Sequence, residues 1–159
     1  MLDLGRTFLQ AVERDPSSLA LVDGSKRYTY EEWALHIGAI QEFFNKKGLK
    51  NGDRILTILQ NRFESATIHW ACQMAGIAIV PLNWRPKPNE IDYCAQNADV
   101  KLAFVEEVSL SNYLQSETSK SISVILCMEK VPSDGYTYFE ELIQVGVKPT
   151  AQGHVEDVS

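Results

Sequence analysis

The chain has 159 residues, of which 45% are hydrophobic, and this is enough to build the core of one ordinary domain. Its formal net charge of −6 comes from 21 acidic and 15 basic residues scattered along the sequence. Nucleic-acid binding is therefore not expected, because a phosphate backbone requires clustered positive charge. No apolar run approaches the roughly 20 residues of a membrane helix, and the first residues lack the layout of a signal peptide. We expect a cytoplasmic protein with no membrane span.

The first predicted elements are a short helix and a hairpin. Apolar residues at helical spacing between Leu4 and Val12 predict a helix that ends at Asp15-Pro16, and we expect it to cover the edge of a sheet. Apolar stretches at residues 19–22 and 27–29 flank Asp23-Gly24, a pair that tolerates the positive φ of a tight turn. These stretches predict the hairpin.

A second helix is predicted to begin at Thr29. Glu32 follows three residues later, which is the capping-box pattern in which two side chains satisfy free amide hydrogens at a helix start. Large apolar residues then recur on one helical face, at Trp33, Ile37, Ile40 and Phe44. Gly48 suits a left-handed cap, so the helix should end there and lead into a strand.

The rest of the chain alternates between apolar strands and helices. Strands are predicted at residues 55–59, 77–82, 102–105 and 122–128. Helices are predicted between Asn61 and Gly76, near residues 89–96 and 110–117, and from Thr137-Tyr138-Phe139-Glu140 onward. Asn61 and Glu64 are expected to cap the first of these helices. The runs at 55–59 and 77–82 are continuously apolar, which is typical of parallel strands buried on both faces. The sequence therefore predicts a flavodoxin-like α/β fold, with a mostly parallel sheet and helices on both faces.

Residues that bind metals or attack substrates are few and dispersed. The cysteines are Cys72, Cys94 and Cys127, and the histidines are His36, His69 and His154. The cysteines lie among apolar neighbours and are expected to be reduced structural thiols, and no histidine has a partner at zinc-ligand spacing. Gly24-Ser25-Lys26 is too short for a phosphate loop and is better explained as a hairpin tip. We predict no metal site and assign no catalytic residue.

The loop from Pro81 to Pro88 is the remaining candidate site. It follows the predicted strand at residues 77–82, and α/β folds commonly bind ligands beyond the carboxyl ends of their strands. The alternative is a rigid strand-to-helix loop, with Pro88 in the first turn of the next helix and Trp84 as packing.

Taken in order, several segments resemble the N-terminal motifs of adenylate-forming enzymes. They are Tyr28-Thr29-Tyr30-Glu31-Glu32-Trp33, Gly48-Leu49-Lys50-Asn51-Gly52-Asp53-Arg54, the run from Ala71 to Asn83, and its extension from Trp84 to Ile91. Their order and spacing agree with the family over essentially the whole chain. At Asn83 the sequence resembles the acyl-CoA synthetases, which usually have asparagine at this place. The amino-acid-activating domains of peptide synthetases usually have aspartate there.

This resemblance implies the activity of a carboxylic acid–CoA ligase. In such enzymes ATP and a carboxylic acid form an acyl-adenylate with release of pyrophosphate, and the CoA thiol then displaces AMP. ATP, Mg and CoA are thus implied for the full-length parent, whose acid is left open among fatty, aromatic and dicarboxylic classes. Arg85 matches an arginine that approaches the CoA phosphates in some of these ligases, so the resemblance makes it a candidate CoA-binding residue. A surface arginine that braces the loop is the alternative.

The resemblance concerns the N-terminal part of the family. Residues 1–144 are interpreted as an incomplete N-terminal subdomain of the acyl-CoA synthetase fold, and residues 145–159 as a connector. In the family, a connector similar to Glu156-Asp157-Val158-Ser159 leads into the loop Thr-Ser-Gly-Thr-Thr-Gly-x-Pro-Lys-Gly, which wraps the ATP phosphates. We therefore expect the fragment to bind no cofactor and to be inactive alone. Its expected partner is the remainder of the ligase or a second copy, because separation would expose apolar surface and a sheet edge.

Two other hypotheses remain open. The chain would be a stand-alone α/β binding or interaction module without catalysis if its open reading frame stops after Ser159, whereas a frame that continues into a Thr-Ser-Gly loop would favour the ligase. A complete nucleotide-binding domain of unfamiliar type is disfavoured by the lack of a phosphate loop.

Overall fold

A five-stranded parallel sheet lies at the centre of the fold. The computed structural model describes residues 3–132 and 135–151. The strands are β1 (Leu19–Asp23), β2 (Lys26–Thr29), β3 (Arg54–Ile58), β4 (Ala78–Leu82), β5 (Leu102–Val105), β6 (Val124–Leu126) and β7 (Thr137–Tyr138). The parallel sheet has the order β4–β3–β5–β6–β7, while β1 and β2 form a separate antiparallel hairpin. Counted among the parallel strands alone, this is the 2-1-3-4-5 order of flavodoxin-like folds, so the predicted fold class is confirmed.

Helices cover both faces of the parallel sheet. They are α1 (Leu4–Arg14), α2 (Tyr30–Lys46), α3 (Phe63–Ala75), α4 (Pro88–Ala98), α5 (Glu107–Gln115) and α6 (Phe139–Leu142). Ile55 of β3 contributes to an apolar core with α1, α2, α3 and α6. Leu56 and Ile58 contribute to a second core with α4 and α5. The two cores lie on opposite faces because successive side chains of a strand alternate in direction.

Burial distinguishes the central strand β3 from the edge strand β4. The relative exposure is 0% at Ile55, Leu56 and Ile58. β4 pairs with β3 alone, and its Ala78 and Pro81 are exposed. The prediction that the run at 77–82 is buried on both faces was therefore wrong. A short apolar run does not reveal whether its strand has one neighbour or two.

α1 packs on other helices rather than on the sheet edge where the sequence analysis placed it. The ring centroid of Phe8 lies 5.4 Å from that of Trp33 in α2 and 4.8 Å from that of Trp70 in α3. An amphipathic pattern predicts that a helix has a buried face, but it carries no information about which element buries that face.

Capping residues set the start of two helices. The Thr29 amide donates to Glu32 Oε2 at 2.9 Å, and the Glu32 amide donates to Thr29 Oγ1 at 3.2 Å, so the predicted capping box is confirmed. The capping box predicted at Thr137 was wrong by one residue, because Thr137–Tyr138 pairs with β6 as a short strand and Tyr138 is the N-cap. α6 begins at Phe139, and Glu141 accepts a hydrogen bond of 3.0 Å from the Tyr138 amide.

A buried hydrogen bond joins α2 to α3. The indole Nε1 of Trp33 donates to Thr67 Oγ1 at 3.0 Å, and that hydroxyl donates to the Phe63 carbonyl at 2.8 Å. Thr67 has 0% relative exposure, so water does not replace this partner. The bond aligns the helices that cover one face of β3.

Replacing Thr67 with valine should lower the free energy of unfolding by about 1–3 kcal/mol, because the isosteric side chain leaves the buried indole N–H unpaired. Thr67→Ser keeps the hydroxyl and should retain most of the stability. Urea unfolding followed by circular dichroism measures both variants. A loss in Thr67→Ser with no loss in Thr67→Val would show that the threonine methyl group, rather than the hydrogen bond, stabilises this contact.

Candidate functional site

The carboxyl ends of β3 and β5 form the topological switch point of the sheet, where α/β folds commonly bind ligands. In this chain the protein's own charged side chains meet there. Arg62, which follows β3, contacts Glu106, which follows β5, with 2.9 Å between Nη1 and Oε2. Arg62 also holds Glu64 through two hydrogen bonds, 2.8 Å from Nε to Oε2 and 3.2 Å from Nη2 to Oε1. We call Arg62, Glu64 and Glu106 the carboxyl-edge triad.

The triad is buried, and its charges are compensated. The side chains of Glu106 and Glu64 are 4% and 7% exposed, and that of Arg62 is 23% exposed. Glu106 Oε1 also accepts a hydrogen bond from the Gln60 amide, and Lys26 Nζ lies 3.3 Å from Glu64 Oε1. Burial opposes the charge of Arg62, but hydrogen bonds and the fields of its two carboxylate partners outweigh it and raise its pKa above the usual range. Two cations therefore balance two carboxylates.

The hairpin is attached to this edge through the start of α3. The Phe63 amide donates to Asp23 Oδ2 at 2.8 Å, so the aspartate at the hairpin turn occupies the positive end of the helix. The prediction that Asn61 and Glu64 cap α3 was wrong. Arg62 is the N-cap residue, and the side chain of Glu64 pairs with Arg62 inside the triad. The prediction of a hairpin tip at Gly24-Ser25-Lys26 is confirmed by the pairing of Asp23 with Lys26.

The triad was not predicted from the sequence. A usable signal was present, since Glu106 directly follows an apolar strand and Arg62 lies four residues after another. Carboxyl ends of parallel strands meet at one edge of the sheet, so opposite charges at two such ends predict an ion pair.

The predicted site residue Arg85 lies beyond the end of the edge strand β4, in an open groove of about 960 Å³ formed with α4. Its guanidinium carbon is 3.8 Å from the ring centroid of Trp84, a cation–π stack. The loop is fixed from α5, since Ser109 Oγ donates to the Trp84 carbonyl at 2.6 Å and Asn112 Nδ2 donates to the Pro86 carbonyl at 3.0 Å. This geometry braces the loop and leaves Arg85 exposed at the groove.

The thiols do not form a reactive site among the described residues. Cys72 and Cys127 are buried, and burial raises the pKa of each thiol, so both stay protonated. Cys94 is half-buried beside the groove of Arg85. All three are free cysteines, as predicted.

The histidines pack against aromatic rings. His36 lies between Tyr28 and Phe63, at centroid distances of 4.8 Å and 5.7 Å, and burial lowers its pKa. His69 lies 5.6 Å from Trp70, while His154 is outside the described residues. Within residues 3–132 and 135–151, no group of three or more His, Cys, Asp or Glu is placed to hold a metal ion. No helix in these ranges has the length and apolar character required to cross a membrane.

Known proteins share this architecture. A family model described as AMP-binding enzyme matches residues 8–157. The 2-succinylbenzoate–CoA ligase of Bacillus licheniformis is 25% identical over 128 residues, which are 78% of this chain and 26% of that enzyme. A benzoate CoA ligase from Burkholderia xenovorans superposes with a TM-score of 0.83 at 18% identity, covering 99% of this chain and 32% of the ligase. The luciferase-like enzyme of the mealworm Zophobas morio superposes with a TM-score of 0.81 at 19% identity, covering 98% and 39%.

The fold is a flavodoxin-like α/β unit similar to part of these enzymes. Since the family model covers nearly all residues, the chain belongs to the AMP-binding enzyme family. This confirms the family suggested by the sequence motifs. The chain spans about a quarter of the length of the curated ligase that it matches.

Replacing Arg62 with methionine should lower the free energy of unfolding by about 3–5 kcal/mol, because Glu106 would remain buried without a cation and Glu64 would keep only Lys26. Arg27→Met is the matched control at an exposed position of the hairpin, and it should change stability by less than about 0.5 kcal/mol. Urea unfolding measures both.

Adding Glu106→Gln to Arg62→Met should recover part of the loss, since the neutral amide keeps an acceptor for the Gln60 amide without a buried charge. Equal stability of the two single arginine variants would contradict a structural role for the triad.

Proposed function

We propose that this chain is the N-terminal part of an ATP-dependent carboxylic acid–CoA ligase, with residues 1–144 as its first α/β subdomain and residues 145–159 as a connector. The observation that carries the proposal is the family match over residues 8–157, joined to the structural similarity to a benzoate CoA ligase. In this proposal the reaction requires ATP, Mg and CoA in the full-length parent, and the rest of that ligase is the partner of this subdomain. The sequence of the DNA beyond the codon for Ser159 is a direct test of the connector.

We further propose that the chain alone binds no nucleotide and makes no acyl-CoA. The start of α3 is occupied by Asp23, and Arg62 and Lys26 are engaged by Glu64. These cationic and amide donors at the carboxyl edge thus have internal partners, whereas a triphosphate needs donors that converge on it. The net charge of −6 also repels a polyanion at long range.

Calorimetric titration of this chain with Mg-ATP should show no saturable heat at millimolar ligand. Incubation with ATP, CoA and a panel of fatty, aromatic and dicarboxylic acids should release no AMP. A complete ligase of the same family is the positive control for both measurements. Saturable ATP binding with a micromolar Kd would contradict the proposal that the chain is only the N-terminal part of a ligase.

We assign Arg85 a role in holding the CoA phosphates in the full-length parent. A guanidinium is always charged and offers forked donors that match phosphate oxygens. The contact with Trp84 restrains the side chain, and Arg85 remains exposed at the groove, where it can meet a phosphate.

In that parent, Arg85→Ala should raise the KM for CoA by roughly tenfold, which corresponds to one lost charge-assisted contact, and should leave adenylate formation unchanged. Arg27→Ala is the control at an exposed position without a role in the groove. Steady-state kinetics with varied CoA, together with pyrophosphate exchange for the first half-reaction, separate the two effects. An unchanged KM for CoA would leave Arg85 with only its bracing contact to Trp84.

A further inference from the structure

The segment formed by residues 145–151 lies across α2 and is held by its backbone. The side-chain amide of Gln41 donates from Nε2 to the Thr150 carbonyl at 2.8 Å and accepts from the Thr150 amide through Oε1 at 3.0 Å. Six residues earlier in the helix, the Leu35 carbonyl accepts a hydrogen bond of 3.2 Å from the Val147 amide. Gln41 has 8% relative exposure, so these bonds are largely shielded from water. The side-chain amide of Gln41 thus bonds both backbone groups of Thr150, as the backbone of a neighbouring β-strand would.

A glycine in α2 permits this close approach. A Cβ atom on Gly38 would overlap the Val147 carbonyl oxygen and would lie 2.6 Å from the Val147 carbonyl carbon and 2.8 Å from Pro149 N. Glycine in the middle of a helix is destabilising relative to alanine, so local helix propensity does not explain the residue. Gly38 leaves a notch in the helix surface into which the backbone of the segment fits.

We propose that Gly38 and Gln41 form an anchor that holds residues 145–151 on one path across α2. Gly38 provides the space, and Gln41 binds backbone groups alone, so the anchor selects the position of the segment rather than its side chains. Gln41 and Gly38 are thus positioning residues. Resting on the proposed function, the anchor fixes on α2 the described part, residues 145–151, of the proposed connector at residues 145–159.

If Gln41 acts as an anchor, its loss should speed amide hydrogen exchange only in the segment that it holds. If Gln41 merely stabilises the core, its loss should affect amides throughout the fold. Gln41→Ala removes both hydrogen bonds to Thr150, so the Thr150 amide should exchange with solvent at least tenfold faster. Amides of β3 should keep their protection, because the sheet does not depend on this contact. Gln73→Ala is the matched control, since Gln73 is an exposed glutamine in the interior of α3.

Gly38→Ala is the second variant, and it should affect the exchange protection of α2 and of residues 145–151 in opposite directions. Alanine is the better helix former, so protection within α2 should be equal or higher. The added methyl group should nevertheless displace the segment, and the amides of both Val147 and Thr150 should lose protection although Gln41 is intact. Hydrogen exchange followed by NMR on the 159-residue chain resolves each amide. Unchanged protection of Thr150 in Gln41→Ala, or a uniform loss over all amides in both variants, overturns the anchor.

This experiment separates the anchor from the proposed function, because it requires no ligand and no catalytic activity. If the two amides respond as described while the full-length parent fails to form acyl-CoA, the anchor stands and the ligase proposal fails. If a full-length parent forms acyl-CoA while Thr150 keeps its protection in Gln41→Ala, the ligase proposal stands and the anchor fails.

Discussion

The fold depends on the burial of β3 on both of its faces and along both of its edges. Its neighbours β4 and β5 take up its backbone hydrogen bonds, and its side chains enter two separate cores. A strand in this position is covered on both faces, which is why Ile55, Leu56 and Ile58 are all fully buried. Helices on both faces of the sheet share these two cores with β3.

The carboxyl end of the sheet combines a filled crevice with an open one. At the switch point between β3 and β5, Arg62, Glu64 and Glu106 occupy the place where α/β folds commonly bind a ligand. Beside it, the loop after β4 leaves a groove around Arg85 and Trp84. The filled crevice fixes the hairpin and the start of α3, since Lys26 and Asp23 both reach it. The groove of Arg85 is lined by the loop after β4 and by α4, and no residue of the triad lines it.

Local sequence patterns predicted much of this architecture. They did not predict ion pairs and hydrogen bonds between residues far apart in the sequence. The capping box at Thr29 and the strand at residues 102–105 were predicted correctly, because each signal lies within a few residues. Arg62 and Glu106 are 44 residues apart, and Asp23 caps a helix that begins 40 residues later. No window of sequence contains both members of such a pair. For the same reason Arg85 was located in its loop from the sequence, but its stack on Trp84 and its groove came from the three-dimensional arrangement.

Pro81 has a consequence for how the molecule behaves at high concentration. It lies exposed in the edge strand β4, opposite Thr57 of β3. Proline is tolerated in a strand only where its missing N–H would point away from the partner, so the outer side of β4 lacks a donor near its centre. A strand from another molecule would leave an acceptor unpaired if it continued the sheet there. The proline thus makes the outer edge of β4 a poorer template for a further strand.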